Sequence, residues 1–337
     1  MSQQQQQEHL LVQKIEHKGE ELDLSWLRDV VYVESMDLSG PKLMLSMNDA
    51  EGILRDDMGI RCRDVLTVTL ASPAPQGCEG LDLVVDFVIQ TMPVDAGIVK
   101  FNCLTRSVDE LKCPSIQAQL FVQNTVTQIL GAIMPGEKVS VGRFPVVEDY
   151  HLLPSMRKSR LIRQMAREMG ASAFYCRDEL VFRSICELFQ APPAFEYHSN
   201  DDREQTQIAG YTQINSGGLI DDRVRRSYQG WNITKGRIRA PGWSKSASES
   251  TGLTNSLSLS GLSSIPVPVL DMYLQGNGGL RPGDTLSLVW NSLNLESPLD
   301  ESLPDKVLIG TVCHRYSSQK YQCRVKGVLP LAEVVPV

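Results

Sequence analysis

The sequence has no long hydrophobic run. Its longest stretch without a charged side chain, Cys113–Gly136, could cross a bilayer by length, but Gln117, Gln119, Gln123, Asn124 and Gln128 interrupt it. Each would be costly in hydrocarbon, so a buried or half-buried helix of a soluble body is expected there, and no membrane span. Positive charge is not in excess either. With 33 Lys and Arg against 40 Asp and Glu, the formal charge of −7 and the interspersed signs lack the electrostatic footprint of a protein that grips phosphate backbones. No basic and then apolar segment follows Met1. The residues Met1–Glu8 are dominated by glutamine, so no secretory leader is expected and folding in a reducing cytoplasm is.

Cysteine pairs of the C-x-x-C type are absent. The eight cysteines (Cys62, Cys78, Cys103, Cys113, Cys176, Cys186, Cys313, Cys323) do not cluster with the five histidines, which argues against zinc and redox motifs and for reduced, packed thiols. Cys313 and Cys323 lie equidistant from Ser318 and could face each other across a hairpin; thiols are expected there too. A phosphate loop is missing as well: Gly276-Asn-Gly-Gly279 has neither the Lys-Ser/Thr nor the strand-to-helix setting. The acid pairs Asp56-Asp57, Asp201-Asp202 and Asp221-Asp222 are sequence neighbours, which point apart on a strand and form no glycosidase dyad. Cys313 beside His314 fails as a nucleophile and base for the same reason. No catalytic, cofactor-binding or metal-binding residue is therefore assigned.

What is present is β structure. A chain of 337 residues fits two packed units or one unit with insertions, and two is the starting assumption. Val30–Met36 and Lys42–Asn48 read as a hairpin about Leu38-Ser-Gly-Pro41; Asp64–Ser72 alternates; Leu81–Met92 and Gly97–Arg106 form another hairpin. A helix is expected from Ser115, after Pro114, with Val122, Val126, Ile129, Leu130 and Ile133 on one face. A second follows Pro154, with Leu161, Ile162, Met165, Ala166 and Met169 apolar, Arg157, Lys158, Arg160, Arg163 and Arg167 elsewhere, and Gly170 at its end. That basic side is either a solvated face or a seat for an acidic partner. Ala173–Cys176 and Leu180–Arg183 form a short hairpin. Trp243–Pro266, rich in Ser, Thr and Gly, reads as a mobile loop that either connects passively or orders on docking. Strands return at Asp271–Leu274, Asp284–Trp290, Val307–His314 and Lys320–Val328.

Residues 64–103 match residues 284–323 at a constant shift of 220: Asp64 with Asp284, Leu66 with Leu286, Val88-Ile89 with Leu308-Ile309, Phe101-Asn-Cys103 with Tyr321-Gln-Cys323. Two readings are open, a duplicated β unit or the shared period of two that any alternating strands show.

Leu161-Ile-Arg-Gln-Met-Ala-Arg-Glu-Met-Gly170, followed by Ala173-Phe-Tyr-Cys176 and Leu180-Val-Phe182, resembles the baseplate hub family of contractile tails, which includes myophage hubs, late control protein D and VgrG heads. Ala166, Glu168 and Gly170 agree with the family pattern, while Gln164 stands where it carries Arg. The resemblance covers about residues 28–330. It implies a mainly β fold with an α+β insert: two tube-like antiparallel β-barrels plus a helix-hairpin insert. The expected division is an N-terminal tail (1–27), first barrel (28–112), insert (113–195), loop-rich connection (196–270) and second barrel (271–337) completed by earlier strands. It implies a non-enzymatic homotrimer in the virion baseplate, assembled in the host cytoplasm. Its upper face would meet the hexameric tail tube protein and its lower face a separate central spike protein, because only Leu329–Val337 follows the last strand. Tape-measure and baseplate wedge proteins are further expected neighbours, and DNA passes through without specific binding. A secretion-type spike adaptor with the same fold is the alternative, and an enzyme built from distant loops the third.

Overall fold

A computed structural model describes residues 11–72, 74, 79–144, 148–201, 206–240, 247–291, 303–317 and 320–334. The Gln-rich start, Cys78, Ser318 and residues 335–337 lie outside them.

The first β unit comprises β1 (Val12–His17), β2 (Glu20–Glu21), β3 (Leu27–Ser35), β4 (Lys42–Asn48), β5 (Val65–Ser72), β6 (Leu81–Thr91), β7 (Val94–Asp95) and β8 (Ile98–Thr105). Alternation forms it: Leu66, Val68 and Leu70 of β5 and Leu43, Leu45 and Met47 of β4 are fully buried, and the residues between them face outward. The expected hairpin β3–β4 is present, as is the strand pair β6–β8.

The tail expected over 1–27 departs from that reading at Leu11. Strand β1 pairs antiparallel with β5, Ile15 opposite Val68, and buries Leu11, Val12 and Ile15. A bulge between Val12 and Lys14 places its apolar residues three apart, which hides the period of two.

The insert carries β9 (Gln119–Phe121), β10 (Lys138–Val141), β11 (Tyr150–Leu152), β12 (Ala171–Cys176) and β13 (Glu179–Ser184). The helix expected from Ser115 begins ten residues later. Thr125 and Gln128 form a capping box, so the helix runs Val126–Ile133 with Val126, Ile129, Leu130 and Ile133 buried. Ser115 instead bonds Met156 and Ser155 through its backbone, and β9 pairs with β11. The second expected helix is present as Lys158–Glu168, with Leu161, Ile162, Met165 and Ala166 buried and Gly170 at φ +60° after it. A short helix, Arg106–Lys112, was not legible from periodicity.

The remaining strands are β14 (Phe195–Ser199), β15 (Ile208–Gln213), β16 (Arg226–Asn232), β17 (Gly236–Arg239), β18 (Ala247–Ser250), β19 (Pro266–Gln275), β20 (Thr285–Trp290), β21 (Lys306–Ser317) and β22 (Lys320–Pro330). The Ser-rich segment expected as a loop is ordered from Ala247: β18 joins β16, and a helix spans Ser256–Gly261. Its leucines suffice because Leu253, Leu259 and Leu262 share a small core with Tyr228 and Ala240. Residues 241–246 lie outside the described part.

The architecture is mainly β. One antiparallel-dominated sheet runs β15-β19-β22-β21-β3-β4-β8-β6-β5-β1-β2, with β20 and β14 branching from β21. Each β unit has its own apolar core, one from Leu11 to Cys103 and the other from Tyr197 to Leu329, and the insert has a third.

Candidate assembly interface

The two β units repeat at the level of individual backbone bonds. In the first, β5 pairs with β6 as Val65↔Val88, Leu66↔Phe87 and Thr67↔Asp86; in the second, β20 pairs with β21 as Thr285↔Leu308, Leu286↔Val307 and Ser287↔Lys306. Every partner is shifted by 220. A bulge follows at Ile89/Thr91 and again at Ile309/Thr311. The turns before the strands match as well: Arg63 and Gly283 both sit at positive φ, +77° and +85°. A bulge and a left-handed turn at equivalent points are features that a shared period of two does not impose.

The third strand corrects the forty-residue match. Ile89 faces Cys103, whereas Ile309 faces Gly327, so the equivalent of Cys103 is Gly327, at a shift of 224. The β21–β22 hairpin is longer than its counterpart, and Tyr321 and Cys323 have no register partner at Phe101 and Cys103. The fourth strand repeats too. β4 pairs with β8 as Leu43↔Cys103 and Leu45↔Phe101, and β19 pairs with β22 as Leu270↔Gly327 and Met272↔Val325.

The units are joined within the chain by β3 and β21, from Ser35↔Thr311 to Asp29↔Ser317. Beside this seam, the β12–β13 turn of the insert inserts Arg177. Its guanidinium lies 3.2 Å from the Glu34 carboxylate, which is wholly buried, and donates to the carbonyl oxygens of Gly278 (2.7 Å) and Leu280 (3.3 Å). The Arg177 N–H also donates to Glu34 (2.8 Å). One side chain thus ties the insert to both β units. Nearby, burial pushes Asp284 up to about 6, only partly offset by Arg281 and Arg177.

No site residue was assigned, and Asp202 of the acid pair Asp201-Asp202 lies outside the described residues. Cys313 faces Arg324; it is Cys323 that lies opposite His314, with the thiol 3.3 Å from Nδ1 and the Tyr321 hydroxyl at 2.8 Å. Spacing about Ser318 is off by one residue, which exchanges faces. This Cys–His contact is fully buried. Burial pushes the thiol up to about 11 and the imidazole down to about 3, so both are neutral and no thiolate is offered to solvent. The seven described cysteines are free thiols. Among the described residues no group of three His, Cys, Asp or Glu could hold a metal ion, and no helix is long and apolar enough to cross a membrane. Gly276–Gly279 is a turn in which Asn277 donates to the Tyr197 hydroxyl.

On the basic helix, Arg163 and Arg167 have partners among the described residues. Arg163 donates to the Leu38 carbonyl at 3.1 Å, and Arg167 lies 4.0 Å from Glu249. Among the described residues, several exposed apolar side chains lie elsewhere. Ile116, Leu120 and Val122 project from the β9 ribbon, and Trp231 and Ile233 from the β16–β17 hairpin.

Similar architecture occurs among solved structures. The 43 kDa tail protein of prophage MuSo2 from Shewanella oneidensis superposes with a TM-score of 0.61 at 12% identity, over 95% of this chain and 98% of that one. This chain shares the fold of phage tail proteins. A tail protein from Neisseria meningitidis gives 0.59 at 11% identity (94% and 95% covered), and prophage tail protein gp18 from Listeria monocytogenes gives 0.55 at 11% (93% of each). No protein-family model and no curated protein sequence matches the chain.

Proposed function

We propose that the chain is a structural, non-enzymatic hub of a contractile phage-tail baseplate, adapting a hexameric tail tube to a trimeric central spike. The repeat carries this reading. Two β units with the same strand register, taken three times around an axis, present six similar units, and six similar units can match a sixfold ring while the chain itself stays threefold. Each arc of strands is then a tube-like barrel: in the second unit His198 of β14 bridges to Gln207, just ahead of β15, which brings the two ends of that arc together. The likeness to whole phage tail proteins supports the same reading. An acidic chain lets DNA pass without adhering. The spike binds near the last strands.

The test is a structure of the assembled tail tip, or native mass measurement of the chain co-expressed with its tube protein. Three copies of this chain per six tube subunits are expected. A ring of any other copy number would overturn the adaptor.

A further inference from the structure

Charge is divided unevenly along this chain. Residues 11–112, the first β unit, carry ten Lys and Arg against eighteen Asp and Glu, a net of −8; residues 206–262, around the β16–β17 hairpin, carry seven against three, a net of +4. The tip of that hairpin is preorganised. The Asn232 carboxamide oxygen accepts from the N–H of Thr234 (3.0 Å) and of Lys235 (3.1 Å), while its nitrogen donates to the Thr254 carbonyl (2.8 Å). On this braced turn Trp231 is 67% exposed and Ile233 94% exposed. Arg237 stands across the strands from Trp231, and Lys235 is exposed beside them. An indole carried on a braced turn beside two cations has few torsions to lose on docking, which is the character of an interface anchor.

The first β unit has a surface of the opposite sign. The outward residues of β5 are short: Thr67 faces Asp86, Thr69 faces Val84 and Ala71 faces Asp82. Val84, 63% exposed, therefore stands between two carboxylates above a floor of small side chains; Asp86 already accepts from the Thr67 hydroxyl (2.8 Å) and lies 3.7 Å from Arg106, and Lys14, opposite Thr69, is paired with Glu16 at 2.9 Å, so Asp82 is the carboxylate most open to an incoming cation. A bulky aromatic can lie on such a floor with its flanking cations beside Asp82 and Asp86.

We propose that the Trp231 hairpin of one copy docks on the β5–β6 outer face of the next copy. The inference rests on the threefold reading above and names the two surfaces that reading needs. A ring that closes by rotation uses two different, complementary patches on each subunit, and an acidic face with a basic tip supplies such a pair.

Self-association of the full chain is measured by sedimentation velocity at about 0.15 M salt, with melting temperature as a folding control. Lys235→Glu with Arg237→Glu, and separately Asp82→Lys with Asp86→Lys, should each weaken association by about tenfold or more. The four changes together should restore most of it, because the signs are exchanged. Trp231→Ala should weaken association without rescue by either charge set. A trimer that none of these variants weakens overturns this docking and leaves the threefold reading standing. Loss by each pair without recovery in combination also overturns the pairing. A wild-type chain that stays monomeric even with its tube protein overturns both.

Discussion

The backbone carbonyl of Asp64 accepts the Ile89 N–H at 3.0 Å, and that of Asp284 accepts the Ile309 N–H at 2.8 Å, so two aspartates 220 residues apart hold one position in a repeated unit. Their side chains have diverged. Asp64 is partly buried, but the Arg61 N–H, His17 and Lys18 outweigh that and hold its carboxyl below the usual range; Asp284 is pushed up to about 6 by burial.

The two positions should answer amide substitution with opposite signs. Asp64→Asn removes a carboxylate that folding favours and should cost about 1–2 kcal/mol at pH 7. Asp284 is penalised once ionised: its contribution is present below pH 3.8 and is lost as pH rises through about 6. Asp284→Asn should therefore stabilise at pH 7 and have little effect below pH 4. Denaturant melts at both pH values check this; destabilisation at pH 7 would refute it.

His314 should contribute an acid limit. Its folded value is lowered to about 3 by burial, first, and by Arg177, so its stabilising contribution is present above its ordinary 6.5 and is lost as pH falls toward 3. The stability difference between wild type and His314→Asn should shrink steadily across that window. A pH-independent difference would mean that the buried imidazole does not titrate with unfolding.

Breaking the Glu34–Arg177 pair should be severe. Arg177→Met leaves a carboxylate without its guanidinium in a wholly buried place and should cost about 3–5 kcal/mol, whereas Glu34→Leu with Arg177→Met should recover much of that loss. Equal melting points for wild type and Arg177→Met would show that the pair does not tie the units together.

Core truncation tests the equivalence of the units. Leu66 and Leu286 are fully buried at matching positions, and each changed to Ala should cost about 2–5 kcal/mol. Separate unfolding of the two units would appear as the loss of one thermal transition in each variant. A single shared transition in both would make the units one cooperative body.

Thiol counting tests the redox state. Freshly lysed, denatured protein should alkylate at all eight cysteines, while in the folded chain Cys103 and Cys323, both buried, should react last.

Local chemistry by itself determined the repeating alternation of β4, β5, β6 and β8, the amphipathic helix Lys158–Glu168 and the hairpin that follows it. Each rests on a periodicity that neighbouring residues set among themselves. The duplication was legible for β5 and β6, because their pairing partners are near in sequence and no bulge intervenes. Tertiary structure decided the rest. The longer second hairpin moved the third strand by four residues, while the bulges at Ile89/Thr91 and Ile309/Thr311 kept step with each other; the register that put Cys323 opposite His314 differs from the symmetric one by a single residue. Residues 119–121 became a strand because Tyr150–Leu152 lies beside them, and the leucines of the Ser-rich segment found a core only against Tyr228 and Ala240. Register, bulges and shared cores depend on partners distant in sequence, and a local pattern does not encode which partner will be there.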